Sequence, residues 1–471
     1  MSISIVWFRT DLRVEDNLSL SKAAENSAVI PLFVWDPERP TYNASNRLAF
    51  LIESIEDLAK QIEVCGSQLI LRVGKPEEVL VDLVKETGAS SVYFGRHYEP
   101  YEIARDVRVV EALEKILVSV VTQKENVLFE SNEIQTQAGK PFTVFTPFKK
   151  KALVKLTSAL PYHRTNREFT SYSRLSDLRS DSLPISLREL ETSPKRQPGG
   201  SERANFLWNN FSNHSLIGYK QRRDHLGDEE GTSRLSPHLK FGTISIRAIV
   251  RELIEIIASE DDRKEGAETF LSELLWREFY STILQSFPQV VHGAFQERFN
   301  KLEWQGSEEH FERWKEGKTG FPIVDAAMRQ LQETGWMHNR ARMIVASFLV
   351  KDLLIDWRKG ERHFMEMLTD GDLAQNNGGW QWSASTGTDA QPYYRIFNPY
   401  LQSKKFDPKG IYIKRYLPGL STLPAELIHA PHLLSEMEQH SYSVVLGVDY
   451  PKPVVDHSEQ RMKAIAMFKA V

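Results

Sequence analysis

Five short runs rich in β-branched and aromatic residues, separated by segments with the 3.6-residue apolar spacing of helices, occupy the first 121 residues. The runs are Ser2–Phe8, 28–35, 68–73, Ser91–Gly95 and 117–121, and the segments between them are 18–25, 46–64, 77–86 and 102–114. Strands joined through helices pair in parallel, and a parallel sheet needs helices on both faces. The expectation is therefore an α/β doubly wound parallel-sheet N-terminal domain. Ligands of such sheets sit beyond the carboxyl ends of the strands, near loops such as Gly95-Arg96-His97-Tyr98-Glu99-Pro100-Tyr101.

The pattern then changes. From 170 to 202 the chain is Ser, Arg, Asp and Pro with Pro198-Gly199-Gly200 near its end, which reads as a linker. Helical spacing returns over 244–257, 268–285, 321–335, 338–355 and 361–368. A chain of 471 residues exceeds a single core. The predicted division is an α/β domain over 1–130, a linker over 131–202, and a larger all-α domain over 203–471.

Several function classes are excluded. The apolar stretch 343–350 is closed by Lys351 and Asp352, far short of the ~20 residues of a membrane span. The opening Ser2-Ile3-Ser4-Ile5-Val6-Trp7-Phe8 runs into Arg9 as a buried strand would, not as a secretory signal, and Cys65 is the only cysteine. A cytoplasmic protein is expected. A net charge of −4 argues against a protein that coats polyanions, yet leaves room for a local basic face. Gly317-Lys318-Thr319 resembles the end of a phosphate loop, but Glu312 stands where its first glycine belongs. The first strand is followed by no Gly-x-Gly-x-x-Gly, and no His-Glu-x-x-His occurs, so neither a standard dinucleotide fold nor a zinc hydrolase is indicated, and no metal is expected.

The most informative segment runs from Asp370 through Gly371, Asp372, Gln375, Asn376, Asn377 and Trp380 to Trp382, followed by Thr386-Gly387-Thr388-Asp389 and Tyr394-Arg395-Ile396-Phe397-Asn398-Pro399. Residue by residue, a polar loop with core tryptophans would explain it. Amides, paired carboxylates and aromatics crowded over so few positions point instead to a site.

These residues, with Val6-Trp7-Phe8-Arg9-Thr10-Asp11-Leu12-Arg13, Thr232-Ser233-Arg234-Leu235-Ser236-Pro237, Trp276-Arg277-Glu278-Phe279-Tyr280 and Gly335-Trp336-Met337-His338-Asn339-Arg340-Ala341-Arg342, resemble the DNA photolyase and cryptochrome family across nearly the whole chain, most closely its class I cyclobutane-dimer photolyases. The resemblance implies FAD, bent into a U within the helical domain and active as FADH−. It places the phosphates at Tyr219, Thr232, Ser233, Arg234, Leu235 and Ser236. Arg342, Asp370, Gly371 and Asp372 lie along the cofactor, with Asp370 paired to Arg342, and Asn339 also belongs to the cofactor set. Asn376 faces the flavin N5, where an amide stabilises the reduced anion without offering an acidic proton. Trp380, Trp357 and Trp304 match an electron-transfer chain from flavin to surface.

The implied substrate is damaged DNA with its pyrimidine dimer flipped out; photolyases are a familiar example of base flipping. The dimer pocket maps to Glu273, Trp276, Asn339, Met343 and Trp382, with Tyr280 beside it. Arg223, Arg277, Arg340, Arg395 and Gln402 are the backbone contacts, alongside Lys404 and Lys405. Light supplies the driving force for an electron-transfer cycle without net redox change, so no acid–base triad is expected. The α/β domain is expected to hold a second antenna chromophore, folate or deazaflavin. Glu102 fits a folate contact, whereas Tyr42 and Tyr101 replace the His and Asn of the folate pattern. A blue-light receptor and a (6–4) photolyase are the alternatives. Asn376, Glu273 and Met343 point away from the first, and the lack of histidine at 273 and 343 points away from the second. A monomer without an obligate protein partner is expected.

Overall fold

The computed structural model describes residues 2–39, 44–158 and 169–471. Five parallel strands, β1 (Ser2–Phe8), β2 (Ser27–Trp35), β3 (Ile70–Val73), β4 (Ser91–Gly95) and β5 (Ser119–Gln123), form one sheet in the order β3-β2-β1-β4-β5. Helices α1 (Leu18–Ala24), α2 (Ser45–Val64), α3 (Pro76–Thr87) and α4 (Pro100–Glu114) connect them. The run Ile5 to Phe8 in β1 and all of β2 are buried, as expected of a parallel sheet covered on both faces. Phe8, Phe33, Leu51 and Leu58 pack in one layer, while Trp7, Leu32, Leu83 and Val109 pack in the other.

Two strands begin later than the sequence pattern suggests. Leu117 has φ +59° and is almost fully exposed, so it makes the turn after α4 and leaves β5 to start at Ser119. Gly66 turns the chain at φ +74°, and β3 pairs with β2 only from Ile70. The edge of β2 before that point is met by the 170–172 segment: Val29 N–H donates to the Thr170 carbonyl at 2.8 Å, and Tyr172 N–H to the Val29 carbonyl at 3.1 Å. From 173 to 200 the only helical pieces are two short 3₁₀ turns.

Beyond the sheet the chain is helical. The helices are α5 (Phe145–Ser158), α6 (Ser201–Asn210), α7 (Tyr219–Arg222), α8 (Ser236–Phe241), α9 (Ile246–Ala258), α10 (Lys264–Ser286), α11 (Glu308–Lys315), α12 (Pro322–Thr334), α13 (Asn339–Ser347), α14 (Trp357–Met367), α15 (Leu373–Ala384), α16 (Pro399–Phe406), α17 (Ile411–Tyr416), α18 (Ala425–Ile428), α19 (Glu436–Tyr442) and α20 (His457–Lys469). The predicted helix over 338–355 is broken: α13 ends at Ser347 and a π-turn, Phe348–Asp352, follows. No helix among the described residues is long and apolar enough to cross a membrane.

Packing groups the chain into two compact units. The first comprises Met1–Thr192, Gln197–Gly218 and Ser233–Pro288, and the second Ser193–Arg196, Tyr219–Thr232 and Gln289–Val471. In the first, Arg247 of α9 reaches Asp16 Oδ2 at 3.0 Å and Glu125 Oε2 at 3.3 Å, and Arg13 reaches Glu125 Oε2 at 3.0 Å, all four side chains being buried. Each guanidinium also donates to backbone carbonyls, Arg13 to Gly242 and Arg247 to Lys124 and Glu125, so the buried charges are both paired and hydrogen-bonded. In the second unit, Trp314, Phe321, Met328, Leu349 and Tyr412 form the centre of one core.

Gly242 ends α8 at φ +62°, and a Cβ there would lie 2.1 Å from the Thr10 carbonyl oxygen and 2.8 Å from the Asp11 Cα. Both groups are backbone, so Gly242→Ala should cost about 2 kcal/mol or more. Denaturant unfolding checks this, and an unchanged midpoint would contradict the close approach.

Candidate functional site

In the second unit the site is organised by α15. Asp372 caps it, accepting from the N–H groups of Ala374 (3.1 Å) and Gln375 (3.2 Å). Its buried face carries Asn376, Asn377, Trp380 and Gln381 instead of aliphatic residues. Buried amides need partners, and most of these are backbone. Asn377 Nδ2 donates to the Val290 carbonyl (3.0 Å) and to Glu361 Oε1 (2.9 Å). Gln381 Nε2 donates to the carbonyls of Val290 (3.1 Å) and Gly293 (3.1 Å) and to Asn377 Oδ1 (3.0 Å), while its Oε1 accepts from Phe295 N–H (2.8 Å). Asn376 Nδ2 donates to the Glu361 carbonyl at 2.9 Å. That bond fixes the amide's orientation and leaves Oδ1 as its remaining acceptor. The opposite stripe, Gln375, Gly379 and Trp382, is half-buried, and a Cβ on Gly379 would meet nothing within 4 Å.

The predicted pair is present: Arg342 Nη2 donates to Asp370 Oδ2 at 2.8 Å, and Arg342 Nε to the Met337 carbonyl at 2.8 Å. Asp370 Oδ1 is buried without a hydrogen-bond partner among the described residues. A buried carboxylate oxygen left unpaired is costly; a ligand donor would satisfy it. Gly371, between Asp370 and Asp372, is buried. One turn apart on α13, Asn339 and Met343 touch, with Nδ2 3.9 Å from Sδ. Arg340 is held by Asp224, with Nε and Nη2 2.9–3.2 Å from its carboxylate, and lies over the Phe406 ring. Arg223 lies over the ring of the buried Tyr219. Arg395, Lys404 and Lys405 are exposed and Gln402 half-buried.

Trp380 and Trp357 are buried in the second unit's core and Trp304 packs against it, half-buried. Trp380 stands edge-on to Phe364 (5.0 Å) and to Trp314 (6.2 Å). Gly360 makes room for it, since a Cβ there would lie 2.1 Å from Trp380 Cη2.

The first unit holds the remaining residues except Thr232, which belongs to the second. Glu273, Trp276, Arg277 and Tyr280 form one half-buried stripe of α10, opposite the core face of Leu271, Leu274, Leu275 and Phe279. Trp276 stacks on Phe145 at 3.7 Å and lies 5.6 Å from Tyr280. Arg277 donates to Glu278 Oε1 (3.0 Å) and to the Leu239 carbonyl (3.4 Å), so it is tied within this unit. Burial raises the Glu278 carboxyl above its ordinary range despite Arg277 and the N–H groups of Leu128 and Phe129. Around α8, Arg234 takes φ +57°, and Ser233 Oγ accepts from Leu235 N–H at 3.4 Å. The N-cap of α8 is Leu235, with no side-chain cap, so the hydroxyls near it are not serving as its cap. Thr232 and Ser233 are half-buried and Ser236 exposed.

The strand order reverses between β1 and β4, and a charged cluster fills the loops beyond them. Glu102 is buried against Arg39 at 2.6 Å. Burial alone would raise its carboxyl, but neighbouring groups including Arg39, Arg105 and Lys240 hold it well below the ordinary range. Arg105 donates to His97 Nδ1 at 3.0 Å, and burial keeps that imidazole neutral. Tyr101 donates to Asp36 Oδ2 at 2.8 Å. Tyr42 lies outside the described residues.

Phe145, Phe364, Trp314 and Glu361 were not anticipated. Glu361 carries the clearest missed signal, because Trp357, Glu361 and Phe364 repeat at i, i+4 and i+7 and so put a carboxylate on the core side of α14. In the second unit, the oxygens of Asp370 and Asn376 that no described residue engages fit a cofactor that offers N–H donors, as FAD does.

Two family models match the chain: DNA photolyase over residues 4–165, and the FAD binding domain of DNA photolyase over 270–470. A deoxyribodipyrimidine photo-lyase of Escherichia coli is 39% identical over 479 residues, covering 100% of this chain and 99% of that protein. The structure of a bacterial class III photolyase from Agrobacterium tumefaciens superposes with a TM-score of 0.91 at 36% identity, covering 100% of this chain and 98% of the other. A Synechocystis cryptochrome also gives 0.91, at 29% identity and 99% coverage of both.

Burial raises the Glu361 carboxyl to about 7, opposed by its hydrogen bond from Asn377. A carboxyl raised in the folded state binds a proton that the unfolded chain has released, so its contribution to stability is present below about pH 4.5 and lost as pH rises through about 7. Unfolding midpoints should therefore fall between pH 5 and 8, and Glu361→Gln should flatten that slope. An equal slope in both proteins would contradict the assignment.

Proposed function

The chain belongs to the DNA photolyase family, and from that premise we propose that the lesion it splits is the cyclobutane pyrimidine dimer, taken up flipped out of the duplex. The observation that carries repair over signalling is Asn376, whose amide nitrogen is spent on the Glu361 carbonyl so that Oδ1 is its remaining polar atom. Such an acceptor suits a flavin whose N5 carries hydrogen, and it supplies no acidic proton. When bound in its reduced form, FAD supplies the light-excited electron donor for the cleavage.

The chain's own residues position and insulate. Arg342 holds Asp370, whose second oxygen is assigned to the cofactor, and the hydroxyls of Thr232, Ser233 and Ser236, with Tyr219 nearby, are assigned to its phosphates. Glu273, Trp276, Tyr280, Asn339, Met343 and Trp382 are assigned to the dimer. Trp276 and Trp382 replace the stacking that a flipped lesion loses, and Glu273 hydrogen-bonds its pyrimidine edge. Arg395 and Gln402 are assigned to the DNA backbone. Arg223, Arg277 and Arg340 join them, the last two from within the ion pairs that hold them.

Trp380, Trp357 and Trp304 are assigned to refilling the cofactor with electrons, a reading supported by a sequence of burial that ends at a half-buried ring. We further assign 1–130 to an antenna chromophore, folate or deazaflavin, at the strand-end cluster, 131–202 to a connecting segment, and 203–471 to catalysis. The chain is proposed to act as a cytoplasmic monomer.

An oligonucleotide with one thymine dimer should lose it under blue light and keep it in the dark, while one with a (6–4) lesion stays unchanged. Survival of the dimer in the light would favour a receptor role, and loss of the (6–4) lesion would overturn the substrate. Trp380→Phe should slow photoreduction of the oxidised holoenzyme while pre-reduced protein still repairs. Photoreduction at the wild-type rate would remove Trp380 from the chain.

A further inference from the structure

Within the second unit, a cavity of about 400 Å³ is lined by Lys318, Arg329, Tyr416, Pro418, Gly447 and Tyr450, among others. None of these residues belongs to the site described above. The volume lies in the range of small-molecule pockets, which combine apolar walls with a few placed polar groups. Here the charged groups are two cations, Lys318 and Arg329, and one carboxylate, Asp449, whose Oδ2 accepts from the Val445 N–H at 2.8 Å. Arg329 Nε is buried with no hydrogen-bond partner among the described residues. Lys318 is half exposed, and its ammonium pairs with the equally exposed Glu316 carboxylate at 2.8 Å. An exposed ion pair of this kind contributes little and gives way readily to a better anion.

The walls are built rather than incidental. Asp325, fully buried, accepts from Thr319 N–H (2.7 Å) and Thr319 Oγ1 (2.6 Å) through Oδ1, and from Gly320 N–H (3.0 Å) and Tyr450 Oη (2.6 Å) through Oδ2. One carboxylate thus fixes both the turn that carries Lys318 and the tyrosine on the facing wall. Tyr416 Oη accepts from Gln330 Nε2 at 3.2 Å. With both hydroxyls engaged, the tyrosines, themselves buried, form part of the cavity wall. Gly317, at φ +62°, lies against the stem of Arg329, where a Cβ would come within 3.3 Å of its Cγ and Nε. The Gly317-Lys318-Thr319 run is therefore no phosphate loop, since its threonine hydroxyl serves Asp325, yet it delivers a lysine beside an arginine whose Nε is unspent.

We propose that this cavity binds a phosphate monoester of mononucleotide size. The phosphate would bridge Arg329 and Lys318, because a guanidinium edge and an ammonium together suit its oxygens. The planar base would lie on the apolar wall formed by Pro418 and the tyrosine rings. The site is separate in its residues from those assigned to FAD, so the test uses flavin-loaded protein, in which the cofactor's own site is filled.

Calorimetric titration of the holoenzyme would compare adenosine 5′-monophosphate, adenosine and inorganic phosphate. The monophosphate should bind at least about tenfold more tightly than either other probe, corresponding to one charge-assisted contact. Lys318→Ala and Arg329→Gln should each weaken it by roughly tenfold, with flavin absorbance and light-dependent repair unchanged. Lys318→Ala changes an exposed side chain, so it serves as the test if Arg329→Gln fails to fold. Absence of binding by wild type, affinity indifferent to both substitutions, or a nucleotide bound no better than inorganic phosphate would overturn the proposal.

Discussion

Burying amides on one face of α15 is the constraint from which the second unit's site follows. Asn376, Asn377 and Gln381 carry donors and acceptors that cannot be left unpaired in a core, and they meet them at Glu361 and the 290–295 loop. This pairing fixes the helix's rotation about its own axis. Trp380 is thereby committed to the core against Phe364 and Trp314, and Trp382, two residues on, to the opposite side. A rotation that exposed Trp380 would strip several buried hydrogen bonds at once, so the polar network specifies the site's geometry as well as contributing stability.

The same logic separates what is already satisfied from what awaits a ligand. Asp370 spends one carboxylate oxygen on Arg342 and keeps the other buried and unpaired. Asn376 spends its nitrogen and keeps its oxygen. Arg340 and Arg277, by contrast, are engaged by Asp224 and Glu278. The cations thus differ in how freely they can meet a phosphate, with exposed Arg395, Lys404 and Lys405 at the open end of that range.

Much of the fold was legible because periodicity reflects burial directly. The parallel sheet followed from apolar runs that are buried on both faces, and its helices from 3.6-residue spacing. What escaped was set by contacts distant in sequence or by local backbone. Leu117 looks like a strand residue and is a left-handed turn. The helix α5 lies in a stretch expected to be linker, because its lysine-rich run 149–151 masks the buried Phe145, Phe148, Ala152 and Leu156. The helix within the Asp370–Trp382 segment was obscured by polar residues facing inward, the reverse of the usual pattern. Glu361 was missed for the same reason. The ion pair Arg342–Asp370 was expected and is present, whereas the partner of Arg340 depends on Asp224, over a hundred residues away, and no local pattern announces it.

If the oxygens of Asp370 and Asn376 that no described residue engages serve a flavin, as proposed, the flavin released per chain on denaturing the purified protein should be one FAD for wild type, with a clear loss in Asp370→Ala under matched purification. A colourless wild-type protein, or a variant that retains its full complement of flavin, would contradict it.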